Sequence, residues 1–292
     1  MTIEFAEYGF LFGLAFIWII FAVAQDLKKR EVADWLNFSL IAFALTYRAF
    51  YSAYSSDFTF FMYGVLGFAL FFLLANLFYY SHVFAGGDAK LLMGLGIILP
   101  YSNYSDVIFV GLGFVLLLFL VGAVYSLSYS VFIVRRNYEK FFSAFRINLN
   151  SGKNLAFALI FAGFFVGFIY AFSQGDALLS FLGILFAVFA FFLVVYAKSL
   201  EVCMIKLVSP GKLTEGDWLV SDVRAGRGIV AKKTVHGLNL EEIVRLRKRG
   251  KKVLIREGIP FTPAFLFAFL VMVFFLAVLG FDLNSLTFSF LA

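Results

Sequence analysis

The chain has 292 residues, of which 63% are hydrophobic, 21% aromatic and only 14% charged, with 43 Phe and a mean hydropathy of +0.95. Soluble domains carry about 45–50% apolar and about 25% charged residues, so a soluble enzyme with one buried core is excluded, and so is disorder, which needs low hydrophobicity. The net charge is +6, from 24 Lys and Arg against 18 Asp and Glu; in so apolar a chain the bases are topology markers, and no nucleic-acid partner is expected.

A membrane span needs about 20 predominantly apolar residues. In chain order the candidates are Tyr8–Gln25, Leu36–Tyr54, Thr59–Tyr80, Ala89–Pro100, Val107–Val134, Leu155–Phe172, Ala177–Ala197 and Pro263–Gly280. The fourth is short because Pro100 ends it. The stretch Met1 to Glu7 has two acids and no base, the wrong start for a cleaved signal peptide, so the first apolar run is expected to be a permanent span.

With the N-terminus outside and eight alternating spans, 23 of the 24 bases fall on the inner side. The outer segments then hold acids only: Glu4, Glu7, Asp57, Asp106, Asp176 and Asp282. Basic residues accumulate in cytoplasmic loops, so this asymmetry predicts both the orientation and the number of spans. The exception is Arg48, inside the second span, which is expected to snorkel outward or to bind an outer acid.

Residues 201–260 form the only long polar stretch. Asn239 to Gly250 reads as a capped helix, with Glu241 and Glu242 in its first turn, Arg247, Lys248 and Arg249 in its last, and Gly250 just beyond. Gly228–Val235 and Lys252–Arg256 read as short strands. The expected fold class is therefore an all-α polytopic membrane protein with about eight transmembrane helices and a small α+β cytoplasmic subdomain. The expected organisation is a membrane helical bundle over 1–200, the subdomain over 201–260, and a last span with an external tail over 261–292. The subdomain suits substrate docking, lipid-headgroup contact or a plain solvated linker.

Ionisable residues at membrane depth are costly and mark function. Asp26 ends the first span and Asp88 opens the fourth, and the charge count puts both at the inner face. Each has an ordinary explanation too: Asp88 as the N-cap of its helix, Asp26 as a partner for Lys29 or Arg30. Two adjacent carboxylates resist double ionisation and share a proton. Such a pair can deprotonate a water while its protonated member polarises a peptide carbonyl. Gly86 and Gly87, lacking Cβ, would let a substrate backbone approach. One cysteine, Cys203, and two histidines, His82 and His236, make a Cys- or His-based metal site unexpected, and no cofactor is called for.

Gly86-Gly87-Asp88-Ala89-Lys90-Leu91 resembles the GxGD-x-K signature of the type IV prepilin peptidases, whose archaeal branch includes the preflagellin peptidases. In that family the signature aspartate opens the fourth span. A partner aspartate ends the first span ahead of a basic loop, as Asp26 does before Lys28-Lys29-Arg30. The stretch from Lys252 to Phe265 is also similar to the archaeal type. One position departs: Ala85 stands where the signature has its first glycine. There is also no cysteine-bearing insertion between the first two spans, so the resemblance does not extend to N-methylation.

The resemblance implies a metal-independent aspartic endopeptidase. It would cut short basic leaders from prepilin- or prearchaellin-like precursors at the cytoplasmic face of the plasma membrane, with Asp26 and Asp88 catalytic. Glu31 and Asp34 would attract the basic leader, and Lys90 would orient Asp88 or a substrate carbonyl. Two competing readings use the same acids. A presenilin-like or signal-peptide-peptidase-like protease would have Tyr-Asp in the first catalytic span, where this chain has Gln25-Asp26, and a PAL motif unlike Pro260-Phe261-Thr262-Pro263. An ion-coupled transporter would need paired broken helices in repeated halves, which the sequence lacks.

Overall fold

A computed structural model describes residues 5–152, 159, 161–165, 177–225, 228–234, 237–250 and 252–278. The sixth expected span, Leu155–Phe172, and the external tail lie wholly or mostly outside these. The chain divides into two compact units: residues up to Leu127 together with those from Pro260 onward, and Ser128–Ile259.

The first unit is helical: α1 (Phe5–Lys29), α2 (Asp34–Ser55), α3 (Thr59–Tyr80), α4 (Gly86–Ile98), α5 (Tyr104–Arg136) as far as Leu127, and α9 (Thr262–Val278). The short helix α4 is its centre, with Ala89, Leu91, Leu92, Gly94, Leu95, Gly96, Ile97 and Ile98 buried. Where lipid is as apolar as the side chains, helices associate by close packing at small residues. That is how α4 is held. A Cβ on Gly67 of α3 would stand 2.1 Å from the Gly96 carbonyl oxygen, and one on Gly94 would meet Leu40 of α2 at 2.9 Å. Helix α9 lies against α1, burying Ala264, Phe265, Ala268, Phe269 and Met272. Pro100 stops α4 by forcing Leu99 into an extended conformation (φ −56°, ψ 145°).

Arg48 corrects the sequence expectation. It does not snorkel; it is fully buried. Its Nε donates to the Ile97 carbonyl at 2.6 Å, and its two terminal nitrogens donate to the carbonyls of Phe60 at 2.7 Å and Leu99 at 2.9 Å. Two of these carbonyls form the end of α4, where orphan acceptors and the negative pole of the helix favour a cation. The Phe60 ring covers the guanidinium with its centroid 4.5 Å away.

Among the described residues, four helical segments are long and apolar enough to cross a membrane: Glu7–Lys29, Thr59–Tyr80, Tyr104–Arg136 and Leu185–Cys203. The apolar part of α9, Thr262–Ala277, is shorter. Helix α2 has 22 residues but carries Asp34, Asn37, Ser39, Arg48 and Ser52; α4 has only 13.

The second unit contains α6 (Tyr138–Ser151), α7 (Ala177–Cys203), α8 (Leu240–Arg249) and strands β1 (Ile205–Val208), β2 (Trp218–Leu219), β3 (Val223–Ala225), β4 (Gly228–Ala231) and β5 (Val253–Arg256). The segment between the fifth and sixth expected spans contains α6, packed on α7 through Phe141 and Ala144 and by a hydrogen bond from Asn148 to Ser199 at 3.1 Å. The strands form an antiparallel sheet in the order β1-β5-β2 and a β3-β4 hairpin. Helix α8 covers a core of Leu213, Leu219, Val230, Ala231, Leu238, Ile243, Leu246, Val253 and Ile255. Its ends match the sequence reading: Asn239 and Glu242 form a reciprocal capping box, and Gly250 closes the helix at φ +63°.

Candidate active site

Asp26 sits in the last turn of α1 and is buried. Its Oδ2 accepts two hydrogen bonds from Thr262, the first residue of α9: from the backbone N–H at 3.3 Å and from the hydroxyl at 2.9 Å. Thr262 is itself fully buried. The positive end of α9 and two of its donors thus converge on one carboxylate oxygen, a favourable arrangement for an anion. The chain turns just after Asp26, where Arg30 takes a left-handed conformation (φ 61°) and donates its N–H to the Asp26 carbonyl at 2.8 Å. Gln25 braces this turn by accepting the Ala33 N–H at 2.9 Å.

Asp88 is the third residue of α4. The N-cap is Ala85, and Asp88 reaches back to the Ala85 backbone, as an acid in a helix's first turn does. It therefore does not cap the helix itself. Helices α1 and α4 pack against each other, with Asp26 in the last turn of one and Asp88 in the first turn of the other. Ala85 has an extended backbone (φ −71°, ψ 162°) and an exposed side chain. Any residue adopts that conformation, which gives a physical reason why alanine fits where the signature has glycine.

The two retained glycines have different surroundings. A Cβ on Gly86 would make ordinary contact with Tyr79 at 3.7 Å, while one on Gly87 would press on Val32 at 3.2 Å. The Gly87 carbonyl accepts a 3.3 Å hydrogen bond from Nδ2 of Asn37, a buried side chain of α2. Among the described residues Oδ1 of Asn37 is buried with no partner, leaving an acceptor beside the Gly-Gly turn.

Lys90 does not pair with Asp88. It forms an ion pair with Asp34 of α2 and lies 5.8 Å from the Phe38 ring centroid. Two of the expected support residues are therefore engaged with each other. Glu31 is exposed in the α1–α2 turn. Next to the carboxylate-bearing ends lies an aromatic group: Phe84 meets Phe78, Phe119, Phe261 and Phe265 with ring centroids 5.2 to 5.8 Å apart. Val83, Phe84, Phe119, Gly122, Ser126 and Phe261 line a groove of about 230 Å³ there. Among the described residues, no three His, Cys, Asp or Glu gather into a metal-binding group.

Sequence reading missed Thr262 and Asn37 as site residues. Asn37 had a signal, an amide in an otherwise apolar run. Thr262 had only its place in the stretch similar to the archaeal peptidases.

Two acids thus stand at the ends of α1 and α4, and one of them is held by a buried threonine. Residues 13–127, which include Asp26, Asp88 and Asn37, match the model of the type IV leader peptidase family. The chain is 36% identical over 87 residues to a preflagellin peptidase of Methanocaldococcus jannaschii, covering 30% of this chain and 37% of that one. It is 30% identical over 82 residues to a preflagellin peptidase of Methanococcus maripaludis, covering 28% and 35%. The chain thus spans little more than a third of the length of these curated relatives. No solved structure matches.

Proposed function

We propose that this protein is a membrane aspartic endopeptidase that removes short basic leader peptides from prepilin- or prearchaellin-like precursors, with Asp26 and Asp88 as the catalytic pair. The observation that carries the reading is that Asp26 and Asp88 stand at the ends of the packed helices α1 and α4, inside the region matching the leader peptidase family. The names of the two relatives supply the substrate class.

In the reaction, one carboxylate of the pair takes a proton from water as the water oxygen attacks the scissile carbonyl carbon. The protonated partner donates to the carbonyl oxygen. The tetrahedral intermediate then collapses with cleavage of the C–N bond: the departing amine takes a proton from one carboxyl, and a hydroxyl of the intermediate returns its proton to the other carboxylate, restoring the singly protonated pair. Thr262 fixes the position of Asp26 in this step through its two hydrogen bonds to Oδ2.

In the proposed topology the chain crosses the plasma membrane eight times with its N-terminus outside, with α2, α4, α9 and the expected span Leu155–Phe172 added to the four long apolar helices. Residues 1–200 form the catalytic bundle, 201–260 the cytoplasmic subdomain and 261–292 the last span and tail. The one-sided distribution of Lys and Arg supports this arrangement and a site at the cytoplasmic face. A precursor whose basic leader stays in the cytoplasm would then present its cleavage point at the right depth. The exposed acid Glu31 would attract the leader.

The test is cleavage of a leader-bearing precursor by purified protein, read by mass spectrometry of the products. Asp26→Asn and Asp88→Asn variants are expected to be folded and inactive, and wild-type activity is expected to survive EDTA. Full cleavage by either variant would remove that carboxylate from the mechanism.

A further inference from the structure

The two faces of the β1-β5-β2 sheet differ in their surroundings. Val208, Leu219, Val253 and Ile255 point into the subdomain core. The register puts Ile205, Leu207, Leu254, Arg256 and Trp218 on the opposite face, since Leu207 opposes Leu254 and Arg256 opposes both Ile205 and Trp218. On that face Leu207 is 61% exposed, Trp218 45% and Leu254 44%. A sheet with one face in water usually carries polar residues there. This one presents two leucines and a tryptophan.

Three observations indicate what covers it. The apolar segment Leu185–Cys203 of α7 is long enough to cross a membrane, and β1 begins at Ile205, with only Met204 between it and the end of α7. The sheet therefore starts where that span stops. Arg256, on the apolar face, forms a 3.0 Å ion pair with Glu201 in the last turn of α7, so this face is turned toward the end of the span. The polar stretch from Glu201 to Glu257 carries thirteen Lys and Arg against seven Asp and Glu, a charge complementary to anionic headgroups.

We propose that this sheet face rests on the lipid interface of the bilayer that α7 crosses, with Trp218, Leu207 and Leu254 at headgroup depth. Tryptophan favours that layer because its ring is apolar and its N–H polar. The contact would fix the height of the subdomain against the membrane. This inference rests on α7 being a span and is independent of the peptidase reading.

The test uses the full chain in vesicles of phosphatidylcholine and phosphatidylglycerol. In a Cys203→Ala background, Leu207→Cys and Leu254→Cys each carry a nitroxide, and power saturation compares relaxation by oxygen with relaxation by a water-soluble nickel chelate. Phe189→Cys, on an exposed position of α7, gives the lipid reference, and Lys248→Cys, on the exposed side of α8, gives the water reference. The two sheet labels are expected to fall between these references, with oxygen the stronger relaxant. Sheet labels matching Lys248→Cys would overturn the proposal, as would labels shielded from both relaxants, the mark of a protein partner. If the Phe189→Cys label were aqueous, the span assignment itself would fail and the inference with it. A readout that leaves the sheet unsubstituted uses Trp218 as the sole tryptophan, after Trp18→Phe and Trp35→Phe. Its emission should be quenched by lipids brominated near the glycerol end, and unquenched emission counts against the contact.

Discussion

Thr262 gives both its backbone N–H and its hydroxyl to the same oxygen of Asp26, joining residues 236 positions apart. The backbone bond survives any substitution except proline, but the hydroxyl bond does not. Thr262→Val keeps the shape and removes one charge-assisted hydrogen bond, an interaction of about 1.5–3 kcal/mol. If Asp26 acts in the chemical step, kcat should fall about 10- to 100-fold, with KM within about twofold. Thr262→Ser should restore most of the rate. Equal losses in both variants, or a change in KM alone, would indicate that Thr262 serves packing or substrate binding instead.

The glycines near the site should separate by their surroundings. Ala85→Gly restores the signature at an exposed, extended position and should leave cleavage within about twofold. Gly86→Ala has room at 3.7 Å from Tyr79 and should fold normally. Gly96→Ala should not, because its Cβ would stand 2.5 Å from Cβ of Phe71 and 2.7 Å from the Gly67 carbonyl oxygen. Overpacking of this kind costs about 1–3 kcal/mol. Thermal unfolding in detergent, measured beside cleavage, distinguishes a folding loss from a catalytic one.

The Lys90–Asp34 ion pair spans α4 and α2 at the surface, with 32% and 64% of the two side chains exposed. Exposed pairs contribute about 0–1 kcal/mol. Lys90→Gln and Asp34→Asn should therefore leave unfolding within about 1 kcal/mol of wild type. If Asp34 attracts the basic leader, only Asp34→Asn should raise KM, and the effect should shrink as salt is added.

Asp26 and Asp88 stood out in the sequence because an acid is conspicuous beside apolar runs and the bases mark which side each run ends on. Helix α8 was legible for a local reason: its cap, charge bias and terminal glycine lie within twelve consecutive residues, Asn239 to Gly250. Thr262 was not legible because its partner is remote in sequence, and nothing local says that α9 begins beside the end of α1. Asn37 looked like a tolerated polar residue until its contact with Gly87 was visible. The hydropathy pattern located α2 and α4 but not their packing; α4 is too short to read as an ordinary span, and it is surrounded by other helices.

Arg48 is the strongest case of the same kind. Counted along the sequence, a lone base in the outer half of a span has every reason to reach for water. In the fold it finds the carbonyls of Ile97 and Leu99 at the end of α4 and that of Phe60 in α3, and it stays buried. Arg48→Met would leave these three carbonyls without their donor. Each buried acceptor left unsatisfied costs about 1–3 kcal/mol, so the variant should unfold at a much lower temperature. Arg48→Lys should recover little, because an ammonium cannot reproduce the planar fork. Since α4 carries Asp88 at its other end, any Arg48→Met protein that remains folded should also lose cleavage. A folded variant with normal activity would show that Asp88 is seated without this clamp.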